Sequence, residues 1–206
     1  MYQTRAKLTK KIPIERKGTR YIARSLVDLE NSVPVVVAVR NMLNLATTAK
    51  EVREMIKQKL LKLNGKEIKD YRDSIRLFNV FEAGESYVLT FTANGKFTFE
   101  KTKDKERICK VIDKKILKGN KTQLNLHDGS NVLSEDRKIN TQDTVYLDFS
   151  GKITKHVPLE KTKNCFIIAG KYIGNKGKII SVEGSKAKIQ LKDKETVLER
   201  QQVVAL

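Results

Sequence analysis

The stretch from Thr48 to Lys69 constrains this chain most, because three local signals follow one another without a gap. Thr48-x-x-Glu51 has the spacing of a capping box, in which the hydroxyl takes a free N–H and the carboxylate reaches back. Val52, Met55, Ile56 and Leu60 then recur at helical spacing and give one apolar face, while Lys50, Arg53, Lys57 and Lys59 occupy the other. Leu61 and Leu63 alternate about Lys62, the period of a strand. Asn64-Gly65 suits a type I′ hairpin, whose two central residues both need positive φ. A rigid helix and hairpin presenting lysines in one direction make a phosphate-binding surface. The bland reading of the same pattern is a solvated helix face beside a turn.

Charge decides which reading to pursue. The 206 residues hold 42 Lys and Arg against 24 Asp and Glu, a net charge of +18 and a pI near 9.8. Residues 1–34, 35–69, 96–155 and 156–206 each carry a net +5, and only 70–95 is negative. One basic tail on a neutral enzyme would concentrate the excess. A spread excess predicts a protein laid along a folded polyanion, with nucleic acid as the partner. No apolar run approaches a membrane span of about 20 residues, and no basic helix has an aromatic-rich face, so no membrane partner is expected. The opening residues Met1-Tyr2-Gln3-Thr4-Arg5 lead into no apolar region, so no secretory signal is expected.

Cys109 and Cys165 lie far apart, form no C-x-x-C pair, and have only His127 and His156 to join them, so zinc spacing is absent and both read as reduced cysteines. Chemistry is sparse elsewhere too. Gly170, Gly174 and Gly177 match neither G-x-G-x-x-G nor a Walker loop. His127-Asp128 runs into Gly129 and reads as turn chemistry. His156 has no evident partner and reads as part of a linker.

Residues 1–31 look like an extended basic arm, its cations interleaved with Ile12, Pro13, Ile14, Tyr21 and Ile22. Ser32 can cap and Pro34 suits a first helical turn, yet Val35-Val36-Val37-Ala38-Val39 favours a buried strand by propensity. The residues alone leave that element open. From about residue 60 the pattern is β-rich. Tyr87–Thr92, Asn94-Gly95 and Phe97/Phe99 form a hairpin signal, and Ile108–Ile112, Lys121–Leu126, Val132-Leu133, Thr144–Phe149 and Ile153 continue it. Cys165–Ala169, Gly177–Val182, Ala187–Leu191 and Thr196–Leu198 are short strands spaced as in a small barrel.

Four stretches, in this order, resemble one family, the small-subunit ribosomal proteins called four-e. Pro13–Tyr21 resembles its basic N-terminal signature. Val33–Leu43 with Thr48–Lys69 resembles its alpha-L RNA-binding module. Gln123–Leu133 resembles its central signature, and Gly170–Ile179 a KOW motif, the RNA-binding loop of an SH3-like barrel. The chain departs from the family at Ile12, where a tryptophan is usual, at Gln58, where a glycine is common, and at Ser74, Arg76 and Asn79, where Pro, Gly and Asp are usual.

The resemblance implies an α+β, mainly β, fold in four parts: a basic arm (1–31), an alpha-L module (32–95), a central β-rich domain (96–155), and a linker with a KOW SH3-like barrel (156–206). It implies that Ser32–Ala46 is helical. The function implied is that of a structural constituent of the small ribosomal subunit in the cytoplasm, not an enzyme and without cofactor, metal or small-molecule substrate. Its partners would be small-subunit rRNA and neighbouring ribosomal proteins. A non-ribosomal RNA-binding regulator and an RNA-modifying enzyme are the alternatives, and the enzyme would need a nucleophile or cofactor loop that the chain does not display. The residues expected to meet RNA are Arg5, Lys7, Lys10, Lys11, Arg16, Lys17 and Arg20 in the arm. In the module they are Arg40, Lys50, Arg53, Lys57, Lys62, Asn64, Lys66 and Lys69. In the barrel they are Lys171, Lys176 and Lys178. Gly65 and Gly177 are expected as turn glycines, Gly177 with positive φ.

Overall fold

The computed structural model describes residues 2–117, 121–136, 138–191 and 194–206. The fold is α+β and mainly β. It divides into two compact units, one of Met1–Thr90 with Lys96–Lys105, the other of Phe91–Gly95 with Glu106–Leu206.

In the first unit the basic N-terminal segment closes on itself instead of lying extended. Strand β1 (Gln3–Thr4) pairs antiparallel with β2 (Tyr21–Ile22). Arg5 supplies the reason. Its backbone N–H donates to the Arg20 carbonyl at 3.0 Å, its Nε to the Thr19 carbonyl at 2.8 Å, and a terminal nitrogen to Thr19 Oγ1 at 3.0 Å, while the other terminal nitrogen donates to the Glu15 carbonyl. One planar guanidinium thus pins a loop that has little core of its own.

Strand β3 (Ser32–Pro34) pairs with β6 (Ser74–Arg76). The valine run then forms helix α1 (Val35–Val37), continued by a wider π turn over Ala38–Met42 in which Leu43 N–H reaches Ala38 O. Strand propensity spans only about 1 kcal/mol and yields to context; here the helix still buries Val35, Val36, Val37 and Val39. Ser32 does not cap this helix. Its hydroxyl donates to the carbonyls of Val27 and Asp28, and Pro34 itself is the N-cap. The first helical N–H groups instead donate to the carbonyls of Asp73 and Tyr71.

Helix α2 (Ala49–Lys57) begins with the expected capping box between Thr48 and Glu51. Val52 is fully buried and Met55 and Ile56 half so, but the helix ends a turn before Leu60, which is 52% exposed. Lys59 stops it by taking φ +58°. Strands β4 (Leu61–Leu63) and β5 (Lys66–Glu67) flank Asn64 (φ +51°) and Gly65 (φ +77°), the predicted type I′ turn. With β7 (Val80–Ala83), β8 (Glu85–Phe91) and β9 (Phe97–Lys101) they make a sheet of order β5-β4-β7-β8-β9. Beyond β6, where the chain departs from the family pattern, buried Phe78 takes φ +61° and donates its N–H to Leu89 O.

The second unit holds two five-stranded antiparallel sheets. The first has β10 (Glu106–Ile116), β11 (Thr122–Leu126), β12 (Asn131–Ser134), β13 (Thr144–Asp148) and β14 (Ile153–Val157), in the order β12-β11-β10-β13-β14 over a core of Cys109, Val111, Leu124, Ile139, Val145 and Leu147. The second has β15 (Asn164–Ile167), β16 (Lys176–Glu183), β17 (Lys186–Gln190), β18 (Glu195–Glu199) and β19 (Val203–Ala205), in the order β18-β17-β16-β15-β19. Strand β19, absent from the sequence reading, pairs with β15 and buries Val203 and Ala205 against Ile179 and Ile189.

Buried polar groups stitch these two sheets together. Lys110 on β10 is 2% exposed and donates to the carbonyls of Arg200, Gln201 and Val203 at 2.7, 2.9 and 2.7 Å. Burial, helped by the Arg200 charge, pulls its pKa down from 10.5 to about 7. His156 is not a partnerless linker residue. It lies in β14 with Nε2 2.8 Å from Asp143 Oδ2, and the same carboxylate accepts from the N–H groups of Asn140 and Leu159. The expected linker therefore starts as strand and is fixed at Leu159.

Candidate nucleic-acid interface

Helix α2 sets the geometry of the first basic face. Glu51 anchors its start, accepting from the Thr47 N–H at 2.8 Å and the Thr48 hydroxyl at 2.9 Å. The Thr47 N–H, then the hydroxyls of Thr48 and Thr47, hold its pKa at about 2. Lys50, Arg53 and Lys57 follow at helical spacing and are all exposed. Lys57 lies 3.3 Å from Glu54 in an exposed pair that salt weakens readily. Arg53 stacks with its guanidinium carbon 4.6 Å from the Tyr71 ring centroid, and Arg72 stands 5.6 Å from the same ring. Stacking fixes Arg53 and leaves its N–H edge able to meet a phosphate. Arg72 also bonds Asp70 through two nitrogens, and those bonds hold the Asp70 pKa down. Nothing in the sequence signals that Tyr71 underlies this face, because Arg53 and Tyr71 lie eighteen residues apart.

The hairpin beside α2 divides its residues. Lys66 and Lys69 are exposed. Lys62 is exposed too, with Glu67 and Glu82 as its cross-strand neighbours. Asn64 is half-buried and works inward, its Oδ1 accepting from Val80 N–H at 2.9 Å while its own N–H donates to Val80 O at 2.8 Å. Arg40 is exposed at the π turn.

In the N-terminal segment Lys7, Lys10, Arg16, Lys17 and Arg20 are exposed. Arg5 is committed to the loop it pins, and Lys11 Nζ donates to Asn31 Oδ1.

In the second unit Lys171, Lys176 and Lys178 are exposed. Lys176 and Lys178 project from one face of β16, with Gly177 between them. Gly177 has no positive φ and is not a turn residue. It is small because a Cβ there would stand 2.7 Å from the Gln190 carbonyl oxygen and 2.7 Å from Ile189 Cγ2. Positive φ in this motif belongs to Gly170, at +88°, and Gly174, at +83°; at Gly174 a Cβ would also overlap the Thr92 carbonyl at 2.0 Å. The sequence reading assigned positive φ to Gly177, whereas Gly170 and Gly174 take it.

The remaining chemistry-bearing groups are structural in their contacts. Asp128 is buried, pairs with Arg107 and accepts from Ser130 N–H at 2.9 Å. Burial pushes its pKa up, but the Ser130 hydroxyl and the Arg107 charge outweigh that and leave it lowered. His127 Nδ1 accepts from Lys110 N–H at 3.1 Å. Burial raises the Cys165 pKa to about 11 and lifts that of Cys109 further, so both stay thiols at neutral pH. Among the described residues no cluster of three His, Cys, Asp or Glu could hold a metal, and no helix is long and apolar enough to cross a membrane.

Comparison with known proteins covers most of the chain. The model of "Ribosomal family S4e" matches residues 83–153. "Small ribosomal subunit protein eS4" of Methanococcus vannielii is 30% identical over 168 residues, 75% of this chain and 69% of that protein. Its counterpart in Methanococcus aeolicus is 31% identical over 186 residues, 82% of this chain and 76% of that protein. The crystal structure of the 30S ribosomal protein S4e from Thermoplasma acidophilum shares the fold, with a TM-score of 0.74 and 23% identity over 86% of this chain and 95% of that one.

Proposed function

The chain belongs to the ribosomal S4e family, and from that premise we propose that it is a structural constituent of the small ribosomal subunit that binds and stabilises small-subunit rRNA through several basic patches. Neighbouring ribosomal proteins are its other partners, and the cytoplasmic ribosome is its location. The family is not an enzyme class, and the chain works by binding, without a catalytic step or cofactor. The basic N-terminal segment (1–31), the alpha-L module (32–95, whose sheet β9 extends to Lys101), the central domain (to 155) and the stretch 156–206 with the KOW barrel divide the contact among them.

One observation carries this reading: exposed cations stand on rigid elements in both units rather than on one tail. Lys50, Arg53 and Lys57 ride a capped helix, and Lys176 and Lys178 a paired strand. Side chains fixed this way meet phosphates with little further loss of freedom, and each neutralised phosphate releases condensed counterions. Arg53 and Lys57 are the sharpest test. The double change Arg53→Glu with Lys57→Glu alters exposed positions and should leave melting within about 1 kcal/mol of wild type, while weakening binding to small-subunit rRNA. Unchanged rRNA affinity would mean that this face is only solvated surface.

A further inference from the structure

The closed N-terminal segment displays something its cations do not explain. Tyr2 is 85% exposed and Tyr21 51% exposed, and they face each other across the β1–β2 pair with ring centroids 5.5 Å apart at 45°. Arg20 lies with its guanidinium carbon 5.5 Å from the Tyr21 centroid. Two adjacent rings left in water cost free energy unless something covers them. Tyr2 also lines a cleft of about 640 Å³ whose other walls carry Lys7, Lys10, Lys11 and Arg24 against the single carboxylate of Glu30. That volume falls within the roughly 300–1,000 Å³ of small-ligand clefts. An aromatic wall beside cations matches a nucleotide, with a flat base for the ring and a phosphate for the ammonium and guanidinium groups.

We infer that the Tyr2–Tyr21 pair and this cleft form a stacking site for an unpaired nucleotide of RNA, with the base on the open face of Tyr2 and its phosphate at Lys7, Lys10 or Arg24. This rests on the RNA-binding reading above and adds a ligand class to it: single-stranded rather than helical RNA. A base locked in a duplex has no free face to offer, whereas an extruded one does. The site is preformed. The pairings Gln3 with Ile22 and Thr4 with Tyr21 set the rings in place, and the bonds of Arg5 to Thr19, Glu15 and Arg20 hold the loop that connects them.

The test compares binding of a short oligoadenylate with binding of a ribose-phosphate chain of the same length without bases. Tyr2→Ala should weaken oligoadenylate binding about tenfold, the scale of one lost base–aromatic stack. Tyr2→Phe should bind as wild type does, and all three proteins should bind the base-free chain alike. Tyr2 is so exposed that folding survives either change, which a melting curve verifies. If Tyr2→Ala binds oligoadenylate like wild type, or loses equally on both chains, there is no stacking site. If that happens while the Arg53→Glu, Lys57→Glu variant loses rRNA, the stacking inference falls and the RNA reading stands. If wild type binds neither oligoadenylate nor rRNA, both fall.

Discussion

Replacing Gly177 by alanine should destabilise the second unit by steric pressure, without any demand on φ. The added Cβ would meet the Gln190 carbonyl oxygen and Ile189 Cγ2, each at 2.7 Å, with Leu191 Cδ2 at 3.3 Å. The carbonyl belongs to the backbone of β17, and Lys178 pairs with Gln190 at that point, so relief requires the two strands to part by several tenths of an ångström. Ile189 is fully buried in the core of this sheet, so moving it disturbs its neighbours. Overpacking of this kind costs about 1–3 kcal/mol. At about 4–8 °C per kcal/mol for small domains, the melting temperature should fall by roughly 5–20 °C in scanning calorimetry. The cause is separable. Adding Ile189→Ala removes one of the two contacts, so the double variant should be less destabilised than the sum of the single ones, with a coupling of about 1 kcal/mol. A positive-φ strain would leave the two changes additive. Lys176→Ala with Lys178→Ala, on the outward face, should leave melting unchanged and lower RNA affinity. If Gly177→Ala melts with wild type, the close contact with β17 is not a constraint.

Two further predictions concern pH. Glu51 has its pKa lowered from 4.5 to about 2, so its contribution to stability is complete above about pH 4.5 and is lost as pH falls towards 2. Glu51→Gln should flatten that part of the acid limb in denaturant titrations, and superimposable limbs would refute the capping role. Lys110 has its pKa lowered from 10.5 to about 7, so between those values the unfolded chain binds more protons than the folded one, and stability rises with pH. The rise is at most about 1.4 kcal/mol per pH unit. Lys110→Met should abolish it over that window, and parallel profiles for the two proteins would show that burial does not perturb Lys110.

What the sequence disclosed was local. The capping box of α2 and the type I′ turn depend on residues one to four apart, and both stand in the structure as read. The valine run was undecidable from its residues, because β-branched propensity opposes the helix-start signals of Ser32 and Pro34, and only the surrounding packing chooses helix. Distance along the chain hid the rest. Arg5 reaches Thr19, His156 finds Asp143, and Lys110 finds carbonyls about ninety residues on. None of these pairs leaves a periodic signal. Gly177 failed for a different reason: a glycine is called for by positive φ or by close approach, and one letter serves both. In the interface, two of the residues named from the sequence turn inward for reasons the sequence does not show: Arg5 pins its own loop, and Asn64 bonds Val80.

The central claim is that this chain is an integral rRNA-binding part of the small subunit, and sedimentation tests it most directly. Tagged protein expressed in its own cells and run through a gradient at moderate salt should travel with the small subunit. It should leave only at high salt, because each phosphate contact adds roughly 0.7–0.9 to the log–log salt slope and several patches act together. Protein that stays at the top of the gradient at moderate salt, or travels with the large subunit alone, would contradict the account.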